Sequence, residues 1–169
     1  MGTFPPLSAH AVSDPDPFVT VGWREWVAFP EIGLPAVRAK VDTGAATSSL
    51  HAHGIETFED DGEPWARFVV HPFFRTERLS VPCEAPVIDE RSVTSSSGHT
   101  ETRVVVGVTL RLGVRSDAPE WPVEATLTDR RGMGFPMLLG REAMAGRVLV
   151  DSGASYVLGR PDHPGAFYE

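Results

Sequence analysis

Two short stretches of this chain end on a carboxylate followed by a hydroxyl and a glycine. Lys40–Ala45 reads KVDTGA and Val150–Ala154 reads VDSGA. In each, an aspartate closes a strand-like run, its neighbour can hydrogen-bond, and the glycine lets the backbone turn tightly. Asp42 in such a turn is a candidate general acid or base. The tripeptide alone is a weak signal, because the same residues often make only an Asx turn. A second set of candidates is His51-Ala52-His53, with His71, His99 and Cys83 further along the chain. It is the best available ligand set for zinc, which in a catalytic site takes three protein ligands and an open position. No HExxH stands in the chain, so the expectation for these histidines is an ordinary polar role, with no metal assigned. Cys83, flanked by Pro82 and an apolar stretch, reads as a small buried hydrophobe rather than a nucleophile.

The elements that must position these residues are short and β-like. Phe18–Phe29 (FVTVGWREWVAF) alternates and is rich in β-branched and aromatic residues, as a half-buried strand is. Leu34–Asp42 (LPAVRAKVD) alternates too, with Ala36, Arg38 and Lys40 on one face and Val37, Ala39 and Val41 on the other. Further strands are expected at Ala66–His71, Arg78–Pro82, Thr102–Leu112, Trp121–Leu127 and Arg147–Val150, separated by turn residues at the spacing of a barrel or sandwich. Gly140–Ala145 (GREAMA) predicts one short helix, stopped at Gly146. The acidic run Glu56–Glu63 (ETFEDDGE) predicts a solvated loop, since it lacks the ligand spacing of a calcium loop. Residues 1–17 hold four prolines and two aspartates and predict a disordered arm; Gly159–Glu169 predicts a loosely attached tail. The folded domain is then 18–158.

Composition excludes several function classes. Apolar residues are 41% of 169, an ordinary soluble content for one domain with a real core. The apolar runs are no longer than Val104–Val108, too short to span a bilayer, and the N-terminal stretch has neither a basic start nor an apolar segment. A soluble, cytoplasmic protein without membrane contact is the expectation. A single cysteine excludes an internal disulfide. The net charge of −8 argues against nucleic-acid binding, and no GxGxxG or P-loop suggests a nucleotide, so no cofactor is expected. The charge is uneven: residues 91–147 carry eight basic against six acidic groups, and every basic residue except Lys40 is arginine. Arginine's planar fork suits carboxylate recognition.

Two Asp-Thr/Ser-Gly turns in one chain are what a two-lobed aspartic protease would show. Only 18 residues follow Asp151, too few for a second lobe, so the two turns cannot both be active-site loops of one monomer. Asp42 has a better companion in Met137–Arg141 (MLLGR): two bulky apolar residues and a glycine before a short helix resemble the second element of the retropepsin fold. With it, Lys40–Leu50 (KVDTGAATSSL) followed by His51-Ala52, Cys83–Ser97 (CEAPVIDERSVTSSS), Leu127–Arg141 (LTDRRGMGFPMLLGR) and Arg147–Leu158 resemble the family labelled ATP-dependent zinc protease. Members of that family are often encoded beside, and sometimes fused to, RimK-type ATP-grasp glutamate ligases. The resemblance covers about residues 20–158. It implies an all-β, retropepsin-like closed β-barrel with one short helix, a single lobe acting as a homodimer. It also implies that the label misleads, because the ATP belongs to the ligase and zinc has no obvious ligand set.

On this resemblance the chemistry lies at Asp42. Two carboxylates about 3 Å apart cannot both ionise, so one activates a water while the other protonates the substrate carbonyl. One chain offers one such loop, and the second Asp42 comes from a two-fold mate. Thr43 cross-bonds the two loops, while Gly44 and Ala45 leave room for substrate. Asp151 is expected to be structural. The polar hairpin Glu90–Arg103, with Ser96, Ser97 and Gly98 at its tip, is the candidate flap. Arg91 and Arg103 at its feet, and Arg130 and Arg131 before the Leu138-Leu139-Gly140 segment, face an acidic substrate; residues 51–90 read as an insertion of underived role. The resulting function is an aspartic endopeptidase acting on acidic or glutamylated peptides, with a RimK-type ligase as possible partner. Two rivals stand beside it: a non-catalytic module of the same fold that binds acidic peptides or the ligase, and a zinc-dependent hydrolase.

Overall fold

Alternation of buried and exposed residues turns most of this chain into strands. The computed structural model describes residues 18–73, 78–94, 97–129 and 134–169; the expected arm 1–17 lies outside them. Eleven strands follow in order: β1 (Val19–Val21), β2 (Arg24–Phe29), β3 (Leu34–Asp42), β4 (Ser48–His51), β5 (His53–Asp60), β6 (Glu63–Val70), β7 (Val81–Thr94), β8 (Thr100–Arg111), β9 (Glu120–Thr128), β10 (Met137–Gly140) and β11 (Val148–Val150). One helical turn, α1 (Arg141–Met144), stands between β10 and β11. Nine strands make one sheet in the order β2-β3-β10-β4-β9-β8-β7-β6-β5, and β1 pairs with β11 in a separate ribbon. The sheet is rolled: the bridge pair Ala28–Arg111 brings β2 back against β8. The expected closed barrel is thus present as a curled, mostly-β sheet rather than a fully laddered cylinder. Val27, Phe29, Leu34, Val37, Leu50, Phe68, Leu110, Leu127, Met137 and Leu139 fill its interior.

β3 has the bounds its alternation predicts, and its Val37, Ala39 and Val41 are buried. The stretch Phe18–Phe29 differs from expectation, because it is two strands broken at Gly22-Trp23. The break has a physical cause in a buried carboxylate. Glu25 is fully buried and accepts hydrogen bonds from the backbone N–H of Gly22 (2.8 Å), Val157 (2.7 Å) and Leu158 (3.3 Å). Trp23 N–H donates to the Ala154 carbonyl at 2.8 Å, and a Cβ on Gly22 would lie 2.3 Å from that oxygen. The backbone at 22–23 therefore closes on the C-terminal segment and leaves the ladder.

The acidic run 56–63 is also different: it is not a loop but the β5–β6 hairpin. Asp61 (φ 49°) and Gly62 (φ 80°) sit between the Asp60–Glu63 pair, the left-handed two-residue turn that matches strand twist. The acidic side chains stay exposed on this hairpin at the edge of the sheet. β7 starts at Val81, three residues after the predicted Arg78, and continues for 14 residues. Its first half, with Pro82 and Pro86, ladders only with β6, and from Val87 onward it pairs with β8. Proline is tolerated there because one side of that half strand carries no ladder. The C-terminal segment is tied down rather than loose: Tyr168 is partly buried and its hydroxyl donates to the Ala36 carbonyl. Among the described residues, no helix is long and apolar enough to cross a membrane.

Candidate active site

Asp42 is the last residue of β3, and its carboxylate closes the turn that follows. Its Oδ1 accepts from the N–H of Gly44 (3.0 Å) and Ala45 (3.3 Å). No hydrogen-bond donor among the described residues meets its other oxygen. A Cβ on Gly44 would come within 3.2 Å of Oδ1, so glycine lets the turn close on this oxygen without crowding it.

The apolar-apolar-glycine strand holds this turn in place. β10 runs parallel to β3, pairing Leu139 with Val41 and Gly140 with Asp42, and antiparallel to β4. Gly140 N–H donates to Ser48 Oγ at 3.0 Å. The first amides of the following turn continue the grip: Arg141 N–H donates to the Ala45 carbonyl (2.8 Å) and Glu142 N–H to the Ala46 carbonyl (3.1 Å). The Arg141 guanidinium donates to the Gly44 carbonyl at 3.2 Å. N–H groups at a helix start have no partner within the helix; here the carbonyls of the Asp42 loop take them. Thr43 and Gly44 are exposed at the apex of this braced loop.

Asp42 opens onto a cavity of about 200 Å³ lined by Ala45, Thr47, Ser49, Arg103, Thr128 and Leu138. Two of the expected substrate residues, Ala45 and Arg103, thus share a cavity with Asp42. Arg103 is largely buried; its Nε has no hydrogen-bond partner, and the Glu101 carboxylate stands 3.5 Å away. Arg91 does not line this cavity; it is held by acidic neighbours, pairing with Asp89 and Glu124 at 2.9 Å each. It lies opposite Arg103 in the β7–β8 hairpin, whose rim pairs Thr94 with Thr100. Ser97 and Gly98 (φ 80°) are exposed near the tip of that hairpin. Ser96, Arg130 and Arg131 lie outside the described residues.

Asp151 makes the same local turn as Asp42, with Gly153 N–H on its Oδ1 at 3.0 Å. It follows β11, is exposed, and its own N–H donates to the Val21 carbonyl at 2.8 Å. It does not line the Asp42 cavity.

Of the histidine set, His51, His53 and His71 do converge, with ring centroids 4.6 Å and 5.0 Å apart in that order. Burial, then the neighbouring His53, holds the His51 imidazole below its ordinary pKa. Cys83 points elsewhere; it is buried, and burial alone pushes its thiol up to about 12, so it is no ready nucleophile. Two contributors escaped the sequence reading. Arg141 directly follows the recognised Leu138-Leu139-Gly140 segment, and its position alone marked it. Asp129 joins His53 only through the parallel β4–β9 register, which pairs His51 with Thr128 and leaves no local signal.

The chain is similar to known proteins over most of its length. The family described as "Retropepsin-like aspartic endopeptidase RimB" matches residues 20–161. A "Probable alpha-L-glutamate ligase" of Desulfotalea psychrophila is 48% identical over 139 residues, which is 82% of this chain and 29% of that protein. A protein of the same description from Parasynechococcus marenigrum is 49% identical over 152 residues, 89% of this chain and 32% of its own length. The chain spans about a third of the length of these curated relatives. A solved Legionella pneumophila structure of unknown function (DUF785) superposes with a TM-score of 0.64 at 28% identity, over 82% of this chain and 96% of that one. With the Asp42 turn, the glycine-ended strand behind it and the match over 20–161, the chain belongs to the RimB-like family of retropepsin-like aspartic endopeptidase domains.

Proposed function

We propose that this chain is an aspartic endopeptidase whose working site is a pair of Asp42 carboxylates contributed by two copies of the chain. The observation that carries the reading is the braced Asp42 loop: one carboxylate oxygen is fixed by two backbone N–H groups and the other is open beside a polar cavity. In the paired site one Asp42 is ionised and takes a proton from a shared water, which attacks the scissile carbonyl. The other Asp42 is protonated and gives its proton to the carbonyl oxygen, so the tetrahedral intermediate forms without an unbalanced charge. In the collapse of that intermediate the carboxyl that took the water's proton gives it to the departing nitrogen, while a hydroxyl of the diol passes its proton to the other carboxylate, so the amine leaves neutral and the pair again holds one proton. Exposed Thr43 at the loop apex is available to bond across the two-fold axis, and the β7–β8 hairpin with Ser97 and Gly98 serves as the cover.

Acidic or glutamylated peptides are the substrate class we infer, because Arg103 lines the Asp42 cavity. The relatives described as glutamate ligases, which are about three times as long as this chain, support a RimK-type ligase as functional partner. The test is a peptide library cut by the purified chain, with light scattering at the assay concentration and Arg103→Gln in parallel. A dimer that prefers glutamate-rich peptides is expected, with that preference reduced about tenfold or more by Arg103→Gln. A fully active monomer contradicts the shared site, and apolar specificity untouched by Arg103→Gln removes the acidic substrate.

A further inference from the structure

We propose that His51, His53 and Asp129 form a binding site for one divalent transition-metal ion, outside the Asp42 cavity and outside the peptide-bond chemistry. One donor atom from each lies within 4.8 Å of the other two. His53 Nδ1 and Asp129 Oδ1 are 3.2 Å apart. A tetrahedral zinc with bonds of about 2.0–2.1 Å sets its ligand atoms roughly 3.3 Å apart, so this pair already stands at chelating distance. The imidazoles of His51 and His53 meet edge to face at 86°, with ring centroids 4.6 Å apart.

The surrounding contacts orient these rings as ligand shells do. His51 pairs with Thr128 in the parallel β4–β9 ladder, which sets the end of β4 beside the residue that precedes Asp129. The His71 ring centroid lies 5.0 Å from that of His53, and its Nδ1 donates to the Leu79 carbonyl at 3.1 Å; a carbonyl only accepts, so this bond fixes the His71 tautomer. Two imidazoles and one carboxylate, with no thiolate, suit zinc, cobalt or nickel; an all-oxygen shell, as calcium and magnesium take, is absent from this set. The three ligands come from the end of β4, the start of β5 and the residue after β9. A metal there ties the start of β5 to the ends of β4 and β9.

The experiment is metal binding by the whole chain. Protein stripped with chelator is titrated with zinc chloride and with cobalt chloride, followed by elemental analysis after gel filtration and by the visible spectrum of the cobalt form. Wild type is expected to retain one ion per chain and to show the absorption of four-coordinate cobalt. Asp129→Asn alters a half-exposed side chain and is expected to weaken binding by at least about tenfold, and His53→Gln by more. Asp42→Asn is expected to bind metal as wild type does, so this site and the peptidase reading stand or fall separately. Failure to retain either ion, or equal retention in wild type, Asp129→Asn and His53→Gln, overturns the proposal.

Discussion

Asp42→Asn is expected to leave the chain folded and to lower peptide hydrolysis by about a thousandfold or more. Asparagine has nearly the same volume, and its Oδ1 still accepts the N–H groups of Gly44 and Ala45 that shape the loop. What disappears is the charge. Without an ionisable group the pair has no base for the water and no acid for the carbonyl, and each such proton transfer contributes roughly 10²–10⁴-fold. Asp151→Asn is the matched control, because Asp151 holds the same turn by the same 3.0 Å bond yet lies off the cavity. It is expected to keep most of the turnover. Circular dichroism establishes that both variants are folded, and equal loss of turnover in the two contradicts the assignment of Asp42.

Gly140→Ala is expected to destabilise the fold strongly by forcing the Asp42 loop away from β10. The backbone at Gly140 is extended (φ −82°, ψ 165°), so alanine meets no conformational strain there. The obstacle is space: a Cβ would lie 2.5 Å from both the carbonyl carbon and oxygen of Thr47, and 2.9 Å from the Ala46 oxygen. These are backbone atoms of the loop that leaves Asp42, and the same loop supplies the carbonyls held by Arg141 and Glu142. Relief of the clash requires the loop to separate from β10, at a cost of about 3 kcal/mol. Denaturant midpoints measure this, with Gly165→Ala as comparison, since a Cβ there meets nothing within 4 Å. A Gly140→Ala protein within about 1 kcal/mol of wild type would show that β10 does not brace the loop closely.

The central device was legible because it is local. A strand that alternates up to Asp42, a turn of small residues, and an apolar pair ending in glycine are all contiguous in the chain, and β3, the Asp42 turn and β10 follow those bounds. The β5–β6 hairpin was misread although its signal is present: Asp61-Gly62 is the residue pair such a turn favours, and the surrounding acidic charge concealed it. Other features depend on partners distant in sequence. The break at Gly22-Trp23 exists because Glu25 is bonded by Val157 and Leu158, more than 130 residues away. The anchoring of Tyr168 on Ala36 is of the same kind. The approach of Asp129 to His53 rests on parallel pairing of β4 with β9, and parallel register is carried by no turn between the two strands. Arg91 and Arg103 look equivalent as the feet of one hairpin, and only the folded neighbours separate them: Glu124 and Asp89 take the first, while the second lines the Asp42 cavity.

A subunit-mixing assay tests most directly whether two chains share one site. Wild-type protein is exchanged with a fourfold excess of Asp42→Asn chains, and turnover is measured per wild-type chain. Random pairing leaves one wild-type chain in five with a wild-type mate, so a site that needs both carboxylates predicts a fall to about one-fifth of the unmixed rate. Turnover per wild-type chain that stays at the unmixed value, with exchange verified by labelled subunits, would show that a single Asp42 suffices and would contradict the shared site.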